Sequence, residues 1–274
     1  MQIPWLDASQ LEPTKQALHA YAKVLGQWLK RCRSKRKHWW HASLRPSLNG
    51  LTTGVVHGAP SLELELDLLA STLCGATDSG ERLIEPLHGQ SAAELATAID
   101  DFLARAGVES RAGPSESDTS SFAYDAGQAR QMHAAVSYLT AALTELRAGI
   151  PEETSPIQIW PHHFDLSMLW LPGEKVPDTD PTDEESSDKQ MNFGFTFGDA
   201  GIPEPYLYVT AYPTPTAMAE LELPAGAVWR SADFTGAVIG YATLARQADP
   251  TAYIHDVWNR LIAAGRQHLL EPRE

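Results

Sequence analysis

The chain has 274 residues, 43% of them hydrophobic and 20% charged, and a mean hydropathy of −0.26. That is the composition of an ordinary globular protein, long enough to bury a substantial core as one large domain or two small ones. With 21 Lys and Arg against 35 Asp and Glu, the net charge is −14. Such a surface repels nucleic-acid phosphates, and no apolar run approaches the ~20 residues that cross a bilayer, so neither nucleic acid nor membrane is an expected partner. Cys32 and Cys74 are the only cysteines, and the start, M-Q-I-P-W-L-D, has neither the basic nor the apolar region of a secretory leader. Cytoplasm is the expected compartment.

Residues 13–31 predict an amphipathic helix, with Leu18, Tyr21, Ala22, Leu25, Trp28 and Leu29 at three- and four-residue spacing and Pro13 in the first turn. The run Lys30–Lys37 has six basic residues in eight and opposes the overall balance. It reads either as an anion patch or as a basic helix end that complements the helix dipole, and a lone basic run on an acidic chain favours the second. Strands follow at His38–Arg45, Leu51–His57 and Ser61–Leu69, the last strictly alternating as S-L-E-L-E-L-D-L-L, with a shorter one at Arg82–Leu87. Ser91-Ala92-Ala93-Glu94 forms a capping box that opens a helix ending at Gly107.

Residues 108–121 are small and polar, and read as a link between an N-terminal half, 1–112, and a C-terminal half, 122–274, which are free to pack as one domain. A helix over 125–148 carries Met132, Val136, Leu139, Leu143 and Leu146 as its apolar stripe. A strand over 157–171 comes next, then an acidic Pro/Ser-rich loop at 177–189, read as mobile and solvated. Further strands fall at 190–197, 205–212 and about 236–241, and a last helix starts at Asp249-Pro250. The fold class is α+β: mostly antiparallel sheet flanked by about four helices, with two similar helix–strands–helix halves. Trp40–Leu44 overlays His162–Leu166 at one His and one Leu, a faint echo of duplication.

The segment I-Q-I-W-P-H-H-F-D-L-S-M-L-W, 157–170, places two histidines and a carboxylate among large apolar residues. Polar groups are costly to bury unless paired or bound to a ligand. Alternation in a strand puts Trp160, His162 and Phe164 on one face and His163, Asp165 and Ser167 on the other. His163 and Asp165 then point together, as a histidine–carboxylate pair for a divalent metal or as a base with its orienting acid. His41 is a candidate third ligand. The turn Gly198-Asp199 … Glu204-Pro205, followed by Tyr206 and Tyr208 on one strand face, resembles the rim of a small-ligand pocket. Glycine-rich phosphate loops, G-x-S-x-G and H-E-x-x-H are missing.

The segments I-W-P-H-H-F-D-L (159–166) and N-F-G-F-T-F-G-D … E-P-Y-L-Y-V (192–209) resemble a family of uncharacterised bacterial proteins, a domain of unknown function. Its pattern is a W-P-x-H-F-D strand and a later N-x-G … G-D … E-P-Y-L-Y-V segment. The resemblance implies that Trp160, His163, Asp165, Asn192, Asp199, Glu204 and Tyr206 matter. The family position of His162 is usually Glu, which argues against His162 as an essential ligand. Two functions stay open: a small-molecule-binding or metal-dependent enzyme with His163 and Asp165 as its catalytic pair, or a non-catalytic ligand-binding or interaction module in which those residues brace strand and loop.

Overall fold

In the computed structural model, residues 2–108, 119–232 and 234–270 are described. Most of the 108–121 link lies outside them. The chain divides into two compact units: residues 9–137 with 158–164, and residues 1–8 with 138–157 and 165–274.

The first unit begins with helix α1 (Ala8–Cys32), which buries Leu18, Tyr21, Ala22, Leu25, Trp28 and Leu29, the stripe its periodicity predicts. Strands β1 (Arg45–Pro46), β2 (Gly50–Thr52), β3 (Leu62–Asp67), β4 (Thr72–Thr77) and β5 (Arg82–Pro86) form an antiparallel meander in chain order. In β3, Leu62, Leu64 and Leu66 are buried while Glu63, Glu65 and Asp67 stay partly exposed, as strict alternation requires. Helix α2 (Ala92–Arg105) starts at Ser91, whose hydroxyl accepts from Glu94 N while the Glu94 side chain accepts from Ser91 N, so the capping box is complete. It lies close on β4: a Cβ on Gly75 would come 3.0 Å from Phe102 Cε1.

The long helix α3 (Ala126–Ala148) follows, then β6 (Glu153–Thr154) and β7 (Gln158–Trp160). Strand β8 (Asp165–Leu171) opens the main body of the second unit. The acidic loop contains a one-turn helix, α4 (Glu184–Ser187), and is tied down by the Lys175–Asp188 ion pair, so it is more ordered than its composition suggests. β9 (Gln190–Thr196), β10 (Tyr206–Tyr212), β11 (Ala227–Arg230) and β12 (Gly236–Gly240) complete the strands, before α5 (Tyr241–Ala245) and α6 (Pro250–Leu269). Sheet order in this unit is β11-β12-β10-β9-β8-β6, with β12 inserted between β10 and β11, so this sheet is not a strand-for-strand copy of the first.

Helix α6 is capped by Asp249, which accepts from Ala252 N, and has Pro250 at its first position. Its buried face, Ile254, Val257, Trp258, Leu261 and Ile262, covers the apolar side of β9 and β10. The rings of Phe193 and Trp258 meet edge to face at 6.4 Å. A Cβ on Gly265 would lie 2.2 Å from Met191 Sδ, so the helix approaches β9 where it has no side chain. Each buried Leu, Ile or Phe on this face contributes roughly 1.5–3 kcal/mol. The α+β class and the antiparallel sheets agree with the sequence, and the four long helices α1, α2, α3 and α6 are the four its patterning predicts.

Two predicted strands take another form. Lys37–Ala42 is a 3-10 turn in which His38 (φ 47°) and Trp39 (φ 58°) are left-handed, and the sheet begins only at Arg45. The strand expected over 157–171 is split in two by a turn at 161–164, where Phe164 is left-handed at φ 57°.

Candidate functional site

The polar residues of the second unit converge on three adjacent strands. Cross-strand register sets Asp165, Thr196 and Tyr206 in one row, and Ser167, Gly194 and Tyr208 in the next. Leu169, Asn192 and Thr210 form a third row. Residues directly opposite each other share a sheet face. Asp165, Asn192, Tyr206 and Tyr208 therefore project on the same side, opposite the face carrying Leu166, Met168, Phe193, Phe195, Leu207 and Val209. The motif N-x-G is the β9 part of this polar face.

Tyr208 reaches across β9. Its hydroxyl donates to Asp165 Oδ2 on β8. The ring lies directly over Gly194, where a Cβ would stand 2.1 Å from Tyr208 Cζ. Any other residue at 194 would occupy the space of the ring. Asn192 Nδ2 donates weakly to Tyr208 Oη at 3.5 Å. Asp165 is only 6% exposed. Burial, then the Asp165 carboxylate, hold the Tyr208 hydroxyl well above the usual phenol range. Asn192 Oδ1 is buried and makes no hydrogen bond. Exchanging the amide's O and N would leave the other atom unmatched, so one amide atom of Asn192 is unanswered in either orientation.

Beside this pair lies a second one. Tyr206 Oη donates to Asp199 Oδ2 at 2.5 Å. Asp199 Oδ1 accepts from Gly201 N and Ile202 N, both at 2.8 Å. Gly198, at φ 99°, closes this loop so tightly that a Cβ would sit 2.2 Å from Pro203 O. Burial pushes the Asp199 carboxyl up, but the Tyr206 hydroxyl, the loop N–H groups and the Arg230 charge outweigh it and hold it below its ordinary value. Burial and Asp199 raise the Tyr206 hydroxyl. The rings of Tyr206 and Tyr208 are 6.2 Å apart. Asp165, Asn192 and Tyr206 thus share one sheet face, and Asp199 meets it from the loop after β9 through its bond to Tyr206. Glu204 is exposed at the loop.

The histidine half of the expected site is arranged differently. His163 is exposed in the 161–164 turn, with its ring 4.2 Å from that of His162. The left-handed Phe164 stands between His163 and Asp165, so the face-sharing of alternate strand residues does not apply to them. Trp160 ends β7 and packs edge-on against the His162 ring. The turn is held from α1: His19 Nε2 bonds the His162 carbonyl oxygen at 3.1 Å and its ring stacks on Phe164. Burial, with Lys23 and Lys15 adding their charge, lowers His19 from 6.5 to about 4. His41 is buried, and its Nδ1 accepts from Arg36 N at 3.2 Å. Among the described residues, no group of three or more His, Cys, Asp and Glu is placed to hold a metal ion. The metal set His41, His163 and Asp165 therefore finds no geometric support.

Gly194 and His19 were not singled out from the sequence, and Tyr208 was named there only beside Tyr206, as part of a pocket rim. Its place over Gly194 was within reach of that reading, since a lone glycine stands in the N-x-G motif.

Among the described residues no helix is long and apolar enough to cross a membrane. No curated protein and no solved structure matches the chain. The match that exists is to a family model: it spans residues 3–268, nearly the whole chain, which therefore belongs to this family of unknown function (DUF5996).

Proposed function

We propose that the protein binds a small organic molecule carrying hydrogen-bond donors, hydroxyl or ammonium groups, on the polar face of the β8–β9–β10 sheet. The observation that carries this reading is Asn192 Oδ1, a buried acceptor with no partner beside the Asp165–Tyr208 pair. A buried polar atom left unmatched costs stability, and a ligand donor would recover that cost. Asp165 and Asn192 supply acceptors, and the Asp199–Tyr206 pair forms the neighbouring rim. Binding is favoured over catalysis because the two tyrosine hydroxyls are held above their ordinary range and make poor proton carriers near neutral pH. His163 is exposed in its turn, and among the described residues no carboxylate orients it as a general base needs. A chain with only two cysteines, Cys32 and Cys74, suits a reducing compartment, which supports a cytoplasmic setting.

A second reading has its own support. Tyr208 spans from β10 to β8 over Gly194, so the same residues brace three strands. A thermal-shift screen of polyols, sugars and small amines separates the two. Under the binding reading a compound raises the melting temperature of the parent, and Asn192→Leu loses that rise while keeping the unliganded melting temperature. If no compound stabilises the parent and Tyr208→Phe alone lowers stability, the face is a brace.

A further inference from the structure

The first unit holds two guanidinium groups that, among the described residues, no carboxylate answers. Arg45, in β1, donates from Nη1 to Ser43 Oγ at 2.6 Å and Gln158 Oε1 at 2.9 Å, and from Nη2 to the Trp40 carbonyl at 3.4 Å. Arg33, just beyond α1, donates from Nη2 to the carbonyls of Thr53, Gly54 and Val55 at 2.6, 3.4 and 3.3 Å. All of these acceptors are neutral. Arg45 stands opposite Thr52 in the β1–β2 register and Arg33 bonds the next residue, so both groups come to the end of β2. The nearby carboxylates of Glu63 and Glu65 accept instead from the hydroxyls of Thr52 and Ser47.

Two other donors, on residues whose oxygens accept from Arg45, also lack acceptors. Gln158 Nε2 and Trp40 Nε1 are buried and make no hydrogen bond. Gln158 cannot be turned round to cure this, because its Oε1 already accepts from Ser43 and Arg45. The ring of Trp39, 38% exposed, holds Lys30 Nζ at 4.6 Å and Lys35 Nζ at 5.7 Å from its centre, and stacks on His41 at 5.6 Å. The backbone that presents it is left-handed at two consecutive residues, His38 and Trp39, a costly conformation for residues with side chains. Burial lowers Arg45 to about 10, with Arg33 adding its repulsion, and burial lowers Arg33 as well. A chain with 35 acidic residues has gathered half-buried cations here, while the nearby carboxylates of Glu63 and Glu65 bond hydroxyls instead.

We propose that Arg33 and Arg45, with Lys30, Lys35 and the Gln158 amide, bind a small oxoanion of the phosphate or phosphomonoester class. Guanidinium forks match tetrahedral oxoanions, and such an anion offers acceptors in several directions at once, which is what the orphan donors need. A nucleic-acid strand fits less well, because the cations are concentrated and half-buried instead of spread along a surface, and the net charge of −14 repels a long polyanion. This proposal is independent of the ligand proposed for the Asp165–Tyr208 face.

The test uses the full chain, titrated with inorganic phosphate and with pyrophosphate against chloride at matched ionic strength, followed by thermal shift and calorimetry. Phosphate at ~100-fold excess over its Kd is expected to raise Tm by several degrees. Arg45→Gln and Arg33→Gln should weaken binding at least tenfold. Should those variants fail to fold, Lys30→Gln/Lys35→Gln, whose side chains are exposed, is expected to keep the unliganded Tm and weaken binding three- to tenfold. The proposal is overturned if phosphate and pyrophosphate stabilise no more than chloride, or if binding is unchanged in the lysine variant and in every arginine variant that folds. Tight binding of a single-stranded oligonucleotide that free phosphate cannot displace would also overturn it, in favour of a nucleic-acid surface.

Discussion

The hydroxyl of Tyr208 donates to Asp165 two strands away, and the strand between them carries a glycine where the tyrosine ring passes. One residue on each of β8, β9 and β10 is thereby fixed by the other two. The Tyr208 hydroxyl reaches the carboxylate on β8 only if the ring lies flat, and the ring lies flat only if position 194 has no side chain.

Gly194→Ala should therefore be among the most damaging small substitutions in the second unit. The new methyl would stand 2.1 Å from Tyr208 Cζ, and overpacking of this kind costs about 1–3 kcal/mol before any hydrogen bond is lost. Urea unfolding checks it. Coupling is the sharper measure: in a Tyr208→Ala background the same Gly194→Ala change should cost far less.

Removing the phenol oxygen alone separates packing from hydrogen bonding. Tyr208→Phe keeps the ring over Gly194 and deletes the bond to Asp165, for an expected loss of about 1.5–3 kcal/mol, the range of bonds to a charged group. A double-mutant cycle with Asp165→Asn should show coupling above ~1 kcal/mol. Additive effects would mean that the two groups do not depend on each other.

His19 predicts a pH dependence in the first unit. Its folded value of about 4 lies below the ordinary 6.5, chiefly through burial. Folding therefore favours the neutral ring, and the contribution is complete above pH 6.5 and is lost as pH falls from 6.5 towards 4. His19→Gln, which keeps a polar group facing the His162 carbonyl, should flatten the stability profile in that window. An imidazole NMR titration of the parent should place the midpoint well below 6.

Glu152 titrates in a lower window. Arg266 bonds both its carboxylate oxygens, Nε to Oε1 and Nη2 to Oε2, each at 2.9 Å, and Trp170 Nε1 donates at 3.3 Å. The Arg266 hydrogen bonds hold Glu152 down from 4.5 to about 2. Stability from this pair is complete above pH 4.5 and lost as pH falls towards 2. Glu152→Gln should remove on the order of 1 kcal/mol at pH 7, after discounting for the partly exposed Arg266, and nothing near pH 2. Unfolding midpoints at pH 7, 4 and 2.5 trace that loss.

Regular elements were legible because local chemistry decides them. The Ser91 capping box, Pro250 after Asp249 and the alternation of 61–69 each carry a signature that short-range physics enforces. The W-P-H-H-F-D segment misled because its composition is that of a strand, while the sign of φ at Phe164 is set by tertiary packing. α1 presses so closely there that a Cβ on Gly26 would lie 2.5 Å from Pro161 Cγ, and His19 anchors the turn from the same helix. The same holds for His38 and Trp39. On the proposed binding face, Asp165, Asn192, Asp199 and Tyr206 are residues that the motifs name. Tyr208 needed the register of three strands, and the Arg33–Arg45 group needed the end of β2 brought beside both arginines; neither is encoded by spacing along the chain.

The insertion of β12 between β10 and β11 bears on how the chain is made. Strand β11 pairs with β12 and β10 pairs with β9 and β12, so a nascent chain that has emerged only to residue 235 has one long, unpaired strand edge at β10 and nowhere to lodge Ala227–Arg230. Exposed edges of this kind recruit other chains. Residues 236–240 thus act as a keystone, covering the edge of β10 and giving Ala227–Arg230 a strand to pair with in one step.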